Sequence, residues 1–464
     1  MKKIAIATLL LLTSLGIYYY PSLSNTLYIA SGFSAKNICS GHFLSGFNPD
    51  QITEQALIPI NDAFKMVDYQ IDENEKTVTT HIAGMFERLA IYRQGLGCTL
   101  LAIGQKNLDT NVIPLIPVIQ SELKPWPLGL AKIEEEENSI DYNLLNQAID
   151  RAFSESESNG KRNVKAIAII HQGKLIAERY ATGVNAETPL LSWSMAKSIT
   201  NLQVGLLEKA GKLDLFAPAT VPQWKDSQDP RSKITLDQLM RMSSGLEFNE
   251  TYGINTDVSS MLSVKADTGG FAADKPLKYA PDTHWSYSSG TTNIIAGIIK
   301  RTLGGNFQDY YEFTQKQLFM PLGISTALLE TDANDTFIGS SFIYATARDW
   351  AKFGQLMLQN GQWNGQQLLA EDWVKYSTTA TQTAPLNQYG AQFWLNSATN
   401  LATEQRKWPT VPTDAYYMGG YQGQYVVVIP SKELVIVRLG FTKPGTTSGI
   451  EKLLADVINL ISEQ

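Results

Sequence analysis

The apolar residues Leu144, Leu145, Ala148, Ile149, Ala152 and Phe153 fall three and four apart, the spacing of one helix face, and Asp141 stands where a cap belongs. The pattern then changes. Val164 to Ile170 and Leu175 to Tyr180 read as two strands joined by the turn His171-Gln172-Gly173-Lys174. Gln424 to Ile429 and Glu433 to Leu439 read as a second hairpin around Pro430-Ser431-Lys432, followed by a last helix from about Ile450 to Ile461. Between these ends the chain is mainly helical. Met195, Ile199, Leu202, Leu206 and Ala210 repeat at helical spacing up to a stop at Gly211, while Thr235-x-x-Gln238, Thr346-x-x-Asp349 and Gly304-Gly305 supply caps and a breaker. Strands at both ends with helices inserted predict an α+β fold: one antiparallel sheet flanked by helices, with a mainly helical lobe.

Residues 25–125 alternate differently. Tyr69 to Ile71 and Thr77 to Ile82 form a hairpin across the polar turn Asp72 to Lys76, with further strands at Arg88 to Arg93 and Cys98 to Ile103. They predict a small strand-rich N-terminal unit. Pro114, Pro117, Pro125 and Pro127, then the acidic run Glu134 to Glu137 (a solvated face), mark a junction, with the linker at residues 126–140 and the main domain at 141–464. At the start, Lys2 and Lys3 precede an uncharged stretch from Ile4 to Tyr20, and the small residues Ser22 and Ser24 permit cleavage after Ser24. Residues 1–24 therefore read either as a signal peptide or as a membrane anchor through residues 4–20. Both readings make the protein exported, periplasmic or extracellular, and no cysteine follows at lipoprotein spacing.

A chain of 464 residues with 44% apolar and 10% aromatic positions has the composition of a globular protein. Its net charge of −7 and lack of a basic cluster argue against nucleic-acid binding. The two cysteines, Cys39 and Cys98, most simply form one disulfide in an exported protein. His42, His81, His171 and His284 are scattered, and with no His-Glu-x-x-His and no cysteine ligand set neither a metal nor another cofactor is expected. Gly304-Gly305 lacks the Gly-Lys-Ser ending of a nucleotide loop. Nothing in the sequence fixes an oligomeric state.

Candidate chemistry begins at Ser194-Met195-Ala196-Lys197. A serine hydroxyl is a poor nucleophile until a base removes its proton, and lysine serves as that base only where burial and neighbours lower its pKa. Positions i and i+3 share a helix face, so this spacing brings hydroxyl and amine together. Ser121-x-x-Lys124 and Ser158-x-x-Lys161 match the same spacing, but the first runs into Pro125 and the second lies in turn chemistry. A second element is Trp285-Ser286-Tyr287-Ser288-Ser289-Gly290, where a tyrosine of lowered pKa would relay a proton and Ser289 would add a hydrogen bond. The third is Met418-Gly419-Gly420-Tyr421-Gln422-Gly423 beside a strand; glycines there let a substrate approach, and backbone N–H groups complete an oxyanion hole with that of Ser194. Trp193 and Trp285, flanking the first two elements, are candidates for an aromatic wall, although packing explains each as well.

In this order the three elements resemble the serine β-lactamase and penicillin-binding-protein superfamily, in particular its class C β-lactamase-like esterases and amidases and the 6-aminohexanoate-dimer hydrolase group. The resemblance runs from about Asp141 to the C-terminus and takes in Asp237 to Leu246 and Thr346-Ala347-Arg348-Asp349-Trp350. It implies a β-lactamase-like fold and a serine hydrolase acting on a small ester or amide. Ser194 would form the acyl-enzyme, Lys197 accept its proton, and Tyr287 pass a proton to the leaving group and activate water. The N–H groups of Ser194 and Tyr421 would hold the oxyanion, with Ser289, Gly419 and Gly420 on the substrate. Ser289 stands where the family's Tyr-x-Asn pattern has asparagine. The third motif is commonly Lys-Thr-Gly or His-x-Gly, whereas Met418-Gly419-Gly420 carries no charge. That departure points to substrates without a carboxylate unless Arg406, Lys407 or Arg438 supplies the charge.

Two other classes compete. A Ser-His-Asp hydrolase lacks its Gly-x-Ser-x-Gly elbow here. A non-catalytic envelope protein binding peptidoglycan fragments or β-lactams in the same cleft would need no serine, lysine and tyrosine in concert. A tethered partner-binding protein, acting through the N-terminal unit, is a third alternative.

Overall fold

The computed structural model describes residues 2–108, 113–115, 121–127, 129–131, 140–155, 161–253, 255–397 and 405–462. The acidic run Glu134 to Glu137, most of the linker, Pro117 and Ser158 lie outside the described residues, as do the side chains of residues 1–19 and 121–125.

The main sheet is built from the hairpins that the sequence marks. Strands β5 (Val164–His171) and β6 (Lys174–Tyr180) pair antiparallel, as do β12 (Gln424–Ile429) and β13 (Leu434–Gly440). With β10 (Trp394–Leu395) and β11 (Tyr416–Gly420) they form a six-stranded antiparallel sheet, ordered β10-β11-β12-β13-β5-β6. Its central strands are buried on both faces, because successive side chains point to opposite sides and both sides are covered. Ile167, Ile169, Val427 and Ile436 face the terminal helices α2 (Tyr142–Phe153) and α6 (Ile450–Ser462), which pack on each other. Ala166, Ala168, Val426 and Val437 face the larger core of the helical lobe, where α5 (Ala347–Leu358) lies on the sheet. The caps hold as read: Asp141 accepts from the N–H groups of Asn143 and Leu144, Thr235 and Gln238 form a reciprocal capping box, and Thr346 accepts from Asp349 N–H.

The N-terminal unit combines a four-stranded meander with a long helix. Strands β1 (Val67–Asp72), β2 (Thr77–Ile82), β3 (Met85–Arg93) and β4 (Gly97–Leu100) pair in sequence order. Helix α1 spans Lys2–Phe43, so residues 25–43 are helical where strand-like alternation was expected. Its buried face is made largely of small residues (Ser31, Ser34, Ala35, Cys39), which let the helix lie close on the meander but leave little hydrophobic periodicity to read. Cys39 and Cys98 form the expected disulfide, tying α1 to β4 with Cα atoms 6.1 Å apart. Among the described residues no helix is long and apolar enough to cross a membrane.

The two units share a buried polar seam. Lys36 on α1 donates to Glu330 at 2.5 Å, and the same carboxylate accepts from Ser40 Oγ at 2.7 Å and from Cys98 N–H at 2.6 Å. Arg93 pairs with Asp335 at 3.0 Å beside it.

Candidate active site

The region of Ser194, the candidate nucleophile, is held by a three-stranded sheet in which β7 (Leu190–Leu191) pairs with β9 (Ile343–Ala345), itself paired with β8 (Leu328–Leu329). Ser192 N–H donates to Ile343 O at 2.9 Å, and the chain turns through Trp193–Met195 into helix α3 (Ala196–Lys209). Ser194 thus sits at a helix N-terminus, with Lys197 one turn along on the same side. Lys197 Nζ lies 3.1 Å from Ser194 Oγ, 2.9 Å from Ser289 Oγ and 3.2 Å from Ser340 O, and 4.8 Å from the Tyr287 ring centre. Only 1% of Lys197 is exposed. Burial lowers its pKa to about 8 against the opposing attraction of Glu250, so about a tenth of the amine is neutral at pH 7, far more than of an ordinary lysine.

Tyr287 and Ser289 arrive on a second helix N-terminus. Ser288 caps α4 (Ser289–Thr302) by accepting from Thr291 N–H, which fixes the residues on either side of it. Glu250 closes the network: Ser289 N–H donates to one of its oxygens at 2.7 Å and Ser289 Oγ to the other at 2.5 Å. A chain of polar atoms therefore runs Ser194, Lys197, Ser289, Glu250. Burial raises the Glu250 carboxyl, while Lys197 and the Ser289 bonds pull it back. The expected lowering of the Tyr287 phenol does not occur. Burial first, and the Glu250 charge second, push it upward, so the resting phenol is neutral and suited to donating a proton.

The third element meets the first across a close contact. A Cβ on Gly420 would stand 2.2 Å from Ser192 O, so only glycine lets the end of β11 come this near the nucleophile turn. Tyr421 follows immediately, its ring stacked on Tyr252 at 5.3 Å and 6°.

A cavity of about 490 Å³ opens onto this constellation. Ser194, Tyr287, Gly419, Gly420 and Tyr421 line it, and Trp394, Tyr417 and Tyr425 add aromatic walls. Ser289, Trp193 and Trp285 do not line it. Trp193 is buried behind Ser194, Ser289 lies beneath Lys197, and Trp285 packs among Tyr287, Tyr389 and Trp394. These three support the wall from behind. Arg406 and Lys407 line the cavity, whereas Arg438 is buried against the carbonyls of Gly423 and Arg162. Basic residues thus border the site although the third motif has none, with the Arg406 guanidinium donating to Val411 O and Pro409 O. His284 stacks on Tyr279 at 4.1 Å and belongs to neither wall. Among the described residues no acidic, histidine or cysteine cluster has the make-up of a metal site.

Sequence reasoning missed Glu250 and Tyr252. Both follow Ser243-Ser244-Gly245-Leu246 in a polar loop without periodicity, and a lone glutamate there gives no signal until the fold brings it to Ser289.

The Beta-lactamase family matches this chain over residues 149–456. A 6-aminohexanoate-dimer hydrolase from Paenarthrobacter ureafaciens is 23% identical over 293 residues, spanning 59% of this chain and 71% of its own. Among solved structures, a candidate 6-aminohexanoate-dimer hydrolase from Bacillus anthracis superposes with a TM-score of 0.54 at 23% identity, covering 65% of this chain and 80% of that one. A class C β-lactamase variant gives 0.50 at 16% identity, over 70% and 99%. At these identities the superpositions speak for the fold alone.

Proposed function

This chain belongs to the beta-lactamase family and is a serine hydrolase, and from that premise we propose that it cleaves a small ester or amide through an acyl-enzyme on Ser194. Neutral Lys197 takes the Ser194 proton as Oγ attacks the substrate carbonyl, and the backbone N–H groups of Ser194 and Tyr421 hold the oxyanion. The Tyr287 phenol gives its proton to the leaving group as the carbonyl re-forms, and is restored by the proton that Lys197 took. Water then enters and loses a proton to the same pair as it attacks the acyl carbonyl; the bond to Ser194 Oγ breaks, Oγ takes that proton back, and the acid is released. The ammonium formed at Lys197 is stabilised through Ser289, whose hydroxyl donates onward to Glu250. The observation that carries this reading is the 3.1 Å approach of a buried amine, its pKa lowered to about 8, to a hydroxyl that lines the cavity.

The name of the Paenarthrobacter relative supports an amide of an ω-amino acid as one substrate class, and the aromatic walls suit its methylene chain. Arg406 and Lys407 support acceptance of an anionic group as well. We further read the protein as exported, with residues 1–24 as leader or anchor; the Cys39–Cys98 disulfide supports an oxidising compartment.

A fluorophosphonate probe is expected to label the purified protein and to fail on Ser194→Ala. Labelling of the variant at the wild-type rate sinks the mechanism. A panel of neutral and carboxylate-bearing p-nitrophenyl esters, an ω-amino-acid dimer and a cephalosporin then defines the substrate. Preference for the carboxylate-bearing ester, lost in Arg406→Ala with Lys407→Ala, supports the anionic subsite; equal turnover of both esters rejects it.

A further inference from the structure

Among the described residues none that lines the cavity comes from the N-terminal unit, yet that unit reaches the two turns on which the chemistry depends. Trp193, immediately before the nucleophile, has φ +46°, and Gln422, immediately after Tyr421, has φ +56°. Both are left-handed backbones that a side chain disfavours, so each persists only because surrounding contacts impose it. One side-chain amide joins them. Gln422 Oε1 accepts from the Trp193 indole N–H at 3.1 Å, and Gln422 Nε2 donates to Ala56 O of the N-terminal unit at 3.0 Å. On its other side the Trp193 ring stacks on Phe33 of α1 at 5.7 Å and 11°. The Tyr421 ring meets the same indole edge-on at 5.9 Å. The N-terminal unit therefore grips the pair from two directions, and the disulfide and the Lys36–Glu330 pair anchor α1 beside the grip.

We propose that the N-terminal unit is a working part of the active site: through Ala56 and Phe33 it fixes Gln422 and Trp193, and Gln422 is the positioning residue that holds the backbone N–H groups of Ser194 and Tyr421 in register for the oxyanion. The inference rests on the acyl-enzyme reading of Ser194. It separates two roles for one interface. A contact made only for stability lowers the melting temperature and leaves turnover per folded molecule unchanged. A contact that aims oxyanion donors lowers the rates of acylation and deacylation together with little change in ground-state binding, because in each step the charge on the oxygen develops only as the bond forms. Donor misplacement on the order of 1 Å costs roughly 10²-fold.

The test uses the full chain. Gln422→Met removes both hydrogen bonds of the side-chain amide, Gln422→Glu keeps an acceptor for Trp193 and loses the donor to Ala56, and Phe33→Ala removes the stacked ring. Tyr69→Phe, at a hydrogen bond to Asp50 within the same unit, is the control for general loosening. For folded Gln422→Met we expect kcat to fall roughly 10- to 100-fold with KM within about twofold. Affinity for a boronic acid that mimics the tetrahedral intermediate is expected to fall by the same factor. Gln422→Glu should lie between it and wild type, and Phe33→Ala should show the same kcat signature, while Tyr69→Phe keeps wild-type kcat. The pH midpoint of acylation should not move, since Gln422 does not touch Lys197. A folded Gln422→Met or Phe33→Ala with kcat within twofold of wild type overturns the proposal, as does a loss confined to KM or an equal loss in Tyr69→Phe. If Gln422→Met does not fold, the Phe33→Ala result decides. Wild-type fluorophosphonate labelling of Ser194→Ala marks failure of the underlying mechanism; a silent Gln422 variant in an enzyme that needs Ser194 marks failure of this inference alone.

Discussion

In the proposed mechanism Lys197 sets the pH dependence of the first chemical step, and the direction follows from its surroundings. Burial is the largest influence and lowers the amine to about 8, while the Glu250 charge acts the other way. At pH 7 roughly one tenth of such an amine is neutral, against about three parts in ten thousand for an ordinary lysine, a roughly 300-fold gain in competent base. The gain has a cost in stability. The unfolded lysine stays protonated up to about pH 10.5, so between about pH 8 and 10.5 the unfolded chain holds the extra proton and stability rises with pH. Below pH 8 both states are protonated and the penalty is constant, on the order of 3 kcal/mol. The assay is the pre-steady-state burst with a p-nitrophenyl ester from pH 6 to 10. The acylation rate should rise with unit slope well below pH 8 and then level off, roughly tenfold in all between pH 7 and 9, with its midpoint near 8. Glu250→Gln keeps the shape of the side chain and removes the charge that raises Lys197, so the midpoint should move to lower pH. Lys197→Ala should lower the plateau by roughly 10²–10⁴ and abolish this limb. A midpoint at or above pH 10, or an upward shift in Glu250→Gln, would refute the assignment of Lys197 as a buried base.

Two further outcomes follow from single contacts. Because the Tyr287 phenol is held neutral, Tyr287→Phe should slow amide cleavage by roughly 10²–10⁴ but slow acylation by a p-nitrophenyl ester far less, since p-nitrophenolate leaves without a proton; equal losses on both substrates would remove Tyr287 as the acid. Lys36→Met leaves Glu330 buried without its cation, which should cost about 3–5 kcal/mol in urea unfolding, with Lys36→Met combined with Glu330→Gln recovering most of it; a single variant within about 1 kcal/mol of wild type would show that the seam contributes little.

What was legible in the sequence was local. Ser194 and Lys197 lie within one helical turn, so their spacing already contained their geometry, and both hairpins carried turn residues between strands of matched length. The glycine at 420 could be read as a close approach, although a Gly-rich turn before a hairpin accounted for it equally well, and it proves to face Ser192 O. The unread features are those created by assembly. Glu250 acquires meaning only through Ser289, far along the chain, and the direction of the Tyr287 shift depends on how deeply it is buried and on that same carboxylate. Residues 25–43 hid their helix because close packing on a sheet calls for serine and alanine rather than a stripe of leucines.

The same distinction bears on where the catalytic unit ends. Composition draws a boundary at residues 126–140, and every proposed catalytic residue lies beyond it. Energetically the boundary is elsewhere. Glu330 belongs to the main domain but takes its cation from Lys36 and two further donors from Ser40 and Cys98. Gln422 places its amide N–H on Ala56 O, and Trp193 lays its indole against Phe33. Trp126, at the nominal start of the linker, is itself buried and donates to Arg348 O at 3.3 Å. Cutting the chain at the linker would strip Glu330 of its cation and both further donors and would uncover the indole beside Ser194. A buried ion pair with its full set of donors couples two elements far more firmly than an exposed surface pair does, so residues 141–464 read as a domain in sequence while the packed body includes α1 and the meander.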